Sequence, residues 1–510
     1  MRTTFRCWAA LAFLAAPSAF AIPEGPDPNT PAWFQREAAN YLKTSEGPEE
    51  QAANPEFLLR YVQQGLINQQ SWDARWLADP TWLGLPSGNT LVTPLCTSWS
   101  NECTGDPFRY PDTDPFYQND GEVHPFVVYD DGCARLSGRV WAPKGSKAGD
   151  RLPGVVVENG SIEAPETLYW WMAQALVRQG YVVLTFDPRG QGRSDQQTPS
   201  GGQGTNINSA VFWTGFVNMI DFFRSTPMRP YPHNETCAGT YPTTVEQYNP
   251  YFDRIDPARL GIAGHSLGAT GVSIVQGYGA EGADPWPGLL DTENPVKVAV
   301  AWDCLGASDG SGGNPAEVPR VPAMGQCSEY GIGGAPFNAP PDPEDKKTAF
   351  TAWQAAGIPV YEQTIQGSTH FEWSLIPTFP ATSWCASTSH GVCEGGWGNP
   401  FAQFYSVAWI DRWLKNPGEK GYADADARLL DDHDWCDHYS FYFRSARDFP
   451  DRQGAVHHSD DVRADCLAAI PGADKSASKA QGSGTLLGAF APGSLLVLLL
   501  PWLVRRRPRN

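Results

Sequence analysis

Basic charge is what this chain is shortest of: Lys and Arg total 37 against 56 Asp and Glu, a net charge of −19. Phosphate polyanions would be repelled by such a surface, so nucleic acid is excluded as a partner class. No internal repeat is apparent. The glycine-rich run Gly201-Gly202-Gln203-Gly204 is not followed by the lysine that a phosphate-cradling loop requires. The segment Asp431-Asp432-His433-Asp434-Trp435-Cys436-Asp437-His438 is rich in ligand-type side chains. Its spacing matches no standard metal site, and Cys436 is expected to be oxidised, so it reads as a solvated acidic loop. No cofactor and no metal are expected.

Turning to what is present, 510 residues can hold one large domain with additions, or two to three ordinary ones. The 20 Trp, 18 Tyr and 24 Phe supply a sizeable core. Residues 1–21 read as a signal peptide, with a short apolar run from Cys7 to Phe20 and Ala19-Phe20-Ala21 as the cleavage site. Removing Cys7 from the 11 cysteines leaves 10, and an even number in an oxidising compartment implies disulfides. Near the other end, Thr485–Val504 is an uncharged run of 20 residues, long enough to cross a bilayer, followed by the basic tail 505–510. With the small-residue linker Ala473–Gly484 before it, this end resembles bacterial C-terminal sorting signals cleaved by intramembrane proteases. The expectation is therefore an exported, envelope-associated or secreted protein. It would be tethered to the membrane through this segment or released by a processing protease.

Residues 22–121 are Pro- and Trp-rich without a strand–helix rhythm and read as a cap or wrapping segment. Helices are expected over Trp33–Lys43 and Pro55–Gln69, and a local Cys96–Cys103 disulfide. From Val123 the pattern alternates: strands over Phe126–Tyr129 and Ala134–Trp141 around an Asp130-Asp131-Gly132 hairpin, then Leu152–Glu158. A helix over Glu166–Gln179, the strand Tyr181–Phe186, a helix over Ile207–Arg224 and the strand Arg259–Ala263 come next. Val296–Trp302, almost wholly apolar, suits a strand covered on both faces. Strands at Val321–Gly325 and Pro359–Ile365 flank a helix over Lys346–Ala356, and Phe404–Leu414 reads as an amphipathic final helix. Strands alternating with helices imply an α/β fold with a mostly parallel sheet and helices on both faces. The catalytic body is placed at 122–447, with 448–484 as an extension and linker.

Three motifs carry the chemistry. Gly264-His265-Ser266-Leu267-Gly268 follows an apolar strand and precedes a small-residue segment, the setting of a nucleophile elbow. Asp187-Pro188-Arg189-Gly190-Gln191-Gly192-Arg193-Ser194-Asp195 follows the fourth strand, and Gly367-Ser368-Thr369-His370 follows the last. In this order they resemble the α/β-hydrolase superfamily, and within it the secreted bacterial hydrolases of the dienelactone-hydrolase and polyester-hydrolase neighbourhood. Those enzymes often carry Pro-Ala-Leu-Gly, then an acid and Tyr-Gly; here the stretch runs Pro322-Ala323-Met324-Gly325-Gln326-Cys327-Ser328-Glu329-Tyr330-Gly331.

A serine hydroxyl needs a base within hydrogen-bond reach, and His370 is the candidate for Ser266. His265, inside the elbow, is expected to pack beneath it. The base needs an acid, and chain order puts that acid between Ser266 and His370. The resemblance places Glu329 at this position; Asp303, at the end of the sixth strand, is the alternative. Oxyanion donors are expected at the Leu267 N–H and, by resemblance, at the Ser161 N–H in the loop Glu158–Glu163. Trp170, Trp171 and Trp373 are candidates either for an apolar pocket or for the core. Cysteine pairs are expected at Cys304–Cys327, where the bridge would brace the acid loop, at Cys385–Cys393 and at Cys436–Cys466, which leaves Cys133 and Cys237. The function implied is a serine esterase acting on small-molecule or polymeric esters. The alternatives are a peptidase or amidase on the same residues, or a non-catalytic binding module.

Overall fold

The structure is a computed structural model and describes residues 26–53, 73–74, 76–82, 116–161, 165–204, 208–332, 334–374 and 398–469. The signal and sorting segments, the helix expected at Pro55–Gln69, and the cysteine pairs 96–103 and 385–393 lie outside these residues. Among the described residues no helix is long and apolar enough to cross a membrane.

Ten strands form one mixed sheet: β1 (Gly121–Tyr129), β2 (Arg135–Pro143), β3 (Leu152–Glu158), β4 (Val182–Asp187), β5 (Ile255–His265), β6 (Val296–Trp302), β7 (Ala323–Ser328), β8 (Val360–Ile365), β9 (Ala446–Pro450) and β10 (Val456–Ser459). Their spatial order is β1-β2-β4-β3-β5-β6-β7-β8-β9-β10. The six strands from β4 to β8 run parallel, and an antiparallel pair closes each edge. The helices named below are α1 (Pro31–Ala53), α2 (Phe116–Asn119), α3 (Trp170–Arg178), α4 (Val211–Arg224), α5 (Pro232–Thr236), α6 (Leu267–Gly277), α7 (Thr348–Ala355), α8 (Gly398–Leu414), α9 (Ala425–Leu430) and α10 (Val462–Ala469).

Strand periodicity splits the core in two. In β6, Val298, Val300 and Trp302 face one apolar cluster, shared with α3 and α8. Ala299 and Ala301 face the other, shared with α4, α6 and α7. Side chains alternate across a strand, so a strand apolar at nearly every position has to be covered on both faces. The sheet thus sits between two helical layers, as the alternating pattern requires.

Three expectations need correction. The helix ending at Leu414 is not amphipathic, since most of its residues are buried, and it is not the last, since α9 and α10 follow. A body ending at residue 447 cuts β9 in two: the sheet runs on through β9 and β10, so the segment after 447 begins as structure and not as linker. The acidic segment near 431–438 is not simply solvated. Asp432 is buried and accepts hydrogen bonds from Tyr361, Tyr405, Tyr439 and Arg447.

Cysteines lie at disulfide distance in three described pairs: Cys133–Cys237, Cys304–Cys327 and Cys436–Cys466. Two were expected, and the first joins the residues left over. Its position ties the hairpin of β1 and β2 to the end of α5.

Candidate active site

β5 ends at His265 and α6 begins at Leu267, so Ser266 alone makes the turn between strand and helix. Its backbone sits at φ 58°, ψ −121°, a region that L residues rarely occupy and that costs roughly 1–3 kcal/mol. The flanking glycines are sterically required. A Cβ on Gly264 would stand 2.5 Å from the Gly268 carbonyl oxygen, and one on Gly268 would stand 2.5 Å from the Asn159 oxygen. The turn therefore holds Ser266 part-exposed above the sheet edge with the helix N-terminus immediately behind it.

His370 lies in the loop after β8, and its Nε2 is 2.8 Å from Ser266 Oγ. Its other nitrogen, Nδ1, is hydrogen-bonded to Asp303 Oδ2. Asp303 follows β6 directly, with its own backbone turned to φ 61°. The second carboxylate oxygen accepts from the Ser328 N–H at 2.7 Å and the Ser328 hydroxyl at 2.6 Å. Burial alone would raise the Asp303 pKa. The His370 side chain and the two Ser328 donors outweigh that and hold the carboxyl well below its usual range.

Glu329, the acid favoured on the sequence, is not at this position. Its carboxylate is committed elsewhere: Oε2 accepts from Asn40 Nδ2 and from the Gly367 N–H, each at 2.6 Å, and Oε1 from the Ser440 hydroxyl. It touches the backbone of the loop that carries His370, not the imidazole. Burial is the leading effect on it and leaves its pKa raised despite three donors. The alternative residue, Asp303, is the one that meets His370.

His265 packs beneath the elbow, as expected, and does more than fill space. The Gly160 N–H donates to the Tyr169 hydroxyl at 3.1 Å, and that hydroxyl lies 2.7 Å from His265 Nδ1. His265 Nε2 is 2.7 Å from the His370 carbonyl oxygen. With Nε2 protonated the donors and acceptors all match, giving a directed chain from the loop after β3 to the backbone of His370. Burial drives the His265 pKa down to about 3, which keeps the ring neutral, as the chain requires.

Leu267 is the first residue of α6, so its N–H belongs to the first-turn donors that have no partner within the helix. Gly160 packs closely, since a Cβ there would be 3.0 Å from the Ser266 Cβ. With the Gly160 amide given to Tyr169, Ser161 is the next residue along this loop. The Asp187 motif supports the loop from below. Asp187 accepts from the Glu166 N–H, the Asn159 side chain and the Arg193 N–H at 2.7, 3.2 and 3.0 Å. Gly192 is needed there, because a Cβ would stand 2.1 Å from the Asp187 carboxyl carbon.

Trp170, Trp171 and Trp373 all belong to the core, at 1%, 4% and 0% exposure. Trp171 Nε1 donates to the Trp373 carbonyl and Trp373 Nε1 to Gln326 in β7, so these two rings tie the loop after His370 to α3 and the sheet. Sequence reasoning missed Tyr169, which no motif marks, and Asn40. Asn40 carried a signal: with Trp33, Glu37 and Tyr41 it follows the i, i+4, i+7, i+8 spacing of one helix face.

No protein-family model matches the chain, and no curated protein is significantly similar to it.

Proposed function

We propose that this protein is a serine hydrolase of carboxylic esters with an α/β-hydrolase fold. The nucleophile on the β5–α6 turn and the chain order Ser266, Asp303, His370 support the fold assignment. The observation that carries the chemistry is the continuous contact from Ser266 Oγ through the His370 ring to the Asp303 carboxylate.

In this reading His370 Nε2 takes the Ser266 proton as Oγ bonds to the ester carbonyl carbon. The carbonyl oxygen becomes an oxyanion facing the Leu267 and Ser161 amides. Asp303 fixes the imidazole tautomer and stabilises the imidazolium that forms. His370 then hands the proton to the leaving alkoxide, the C–O bond breaks, and an acyl-Ser266 ester remains. Water, deprotonated by His370, attacks that ester and releases the acid, restoring the Ser266 hydroxyl.

The test is a fluorophosphonate probe, which phosphonylates activated serines. Wild-type protein should be labelled stoichiometrically and should hydrolyse p-nitrophenyl esters, and Ser266→Ala should lose both. An unlabelled wild type would defeat the proposal.

A further inference from the structure

The N-terminal helix is more than a wrapping segment. One face of α1 is buried against the loops that carry the candidate base: Trp33 is 1%, Glu37 1% and Asn40 2% exposed. Trp33 packs with Tyr442 and Phe443. The polar residues of that face each meet matched partners. Asn40 Nδ2 donates to Glu329 Oε2 at 2.6 Å and to the Tyr330 hydroxyl at 2.9 Å, while its Oδ1 accepts from Gln366 Nε2 at 3.0 Å. Glu37 accepts from the Phe337 N–H at 2.6 Å, from the Tyr330 hydroxyl at 3.1 Å and from the Tyr442 hydroxyl.

These partners hold the base. Gln366 and Gly367 open the loop that ends at His370, and Gly367 turns it with φ 66°. Glu329 anchors the Gly367 N–H, the Tyr330 N–H donates to the Ser368 carbonyl at 3.0 Å, and the His370 N–H donates to the Gly331 carbonyl at 3.0 Å. Residues 329–331 thus grip the loop at three points, and α1 grips residues 329–330 from outside. Buried side chains so fully matched have one arrangement available, and losing one member leaves the others unsatisfied.

We propose that Asn40 and Glu329 are positioning residues, through which α1 fixes the His370 loop at the distance Ser266 needs. Neither touches a reacting atom. A small misplacement of the imidazole lowers turnover while substrate binding persists. The proposal rests on the hydrolase reading above.

The experiment measures kcat per active site, with sites counted by fluorophosphonate titration. A merely structural role would lower the number of titrated sites and leave kcat per site unchanged. Asn40→Leu should lower kcat per site by roughly 10- to 100-fold, with KM within about twofold. Asn40→Asp keeps the size and the Gln366 contact but sets an acceptor against the Glu329 carboxylate. It should lower kcat per site by about 10-fold or more and still reports if the leucine variant does not fold. Glu329→Leu should resemble Asn40→Leu, and Glu329→Gln, which keeps an acceptor in place, should recover most of that loss. Wild-type kcat per site in both Asn40 variants would overturn the proposal while leaving the hydrolase reading intact. Failure of wild-type protein to titrate would instead remove the reading beneath it.

Discussion

Two acids end two adjacent strands of the same sheet and are treated in opposite ways. Asp303, after β6, meets the imidazole of His370 and is held in its charged form by that ring and by Ser328. Glu329, after β7, meets the backbone of the His370 loop and is pushed toward its neutral form by burial. Both are carboxyls within hydrogen-bond reach of the one loop that carries His370, yet only one faces a group whose charge changes in the proposed reaction. The difference lies in what each side chain touches and not in which strand it follows. A carboxylate facing an imidazole can stabilise charge that develops there, and one facing a peptide N–H can only hold shape.

Substitutions should separate the two. Asp303→Asn leaves the shape intact but favours the wrong imidazole tautomer, so kcat should fall by about 10⁴-fold on p-nitrophenyl esters. Glu329→Leu should cost roughly 100-fold through misplacement alone. Glu329→Gln should cost less than about 10-fold, because a neutral acceptor serves a peptide N–H nearly as well.

The chain beneath the elbow gives a smaller effect, on stability. Tyr169→Phe leaves the Gly160 N–H and the His265 Nδ1 without their partner and should destabilise the fold by about 2 kcal/mol, read by denaturant titration. The pH dependence follows from His265, whose pKa is depressed from 6.5 to about 3 by burial. In the unfolded chain it takes up a proton below about 6.5, and in the folded protein only near 3. Its contribution to stability is therefore present above 6.5 and lost as pH falls between those values. His265→Gln should flatten that part of the stability–pH curve, measured by thermal unfolding at each pH.

Much of this was legible in the residues. Runs such as Val296–Trp302 and Leu152–Glu158 define their strands to the residue, because an apolar stretch between turn signals has few other uses. Ser266 and His370 were legible because glycine and small-residue turns after strands leave a recognisable mark. The acid was not. Asp303 and Glu329 both follow strands in the right order, and only the side-chain partners distinguish them, including Asn40 from 289 residues away. Burial of α8 was hidden for a related reason: polar side chains on it sit inside, as Ser406 does with the Trp302 Nε1–H donating to its hydroxyl, so polarity in the sequence did not mean exposure to solvent. The strands β9 and β10 were missed because runs of only five and four residues, Ala-Arg-Asp-Phe-Pro and Val-His-His-Ser, show too little apolar alternation to stand out from loops in sequence.

The most direct test of the site compares kcat/KM per titrated active site for Asp303→Asn and Glu329→Gln on one p-nitrophenyl ester. The geometry predicts that Asp303→Asn is lower by about 10³-fold or more. Equal losses, or a larger loss in Glu329→Gln, would contradict the assignment of Asp303 as the acid behind His370.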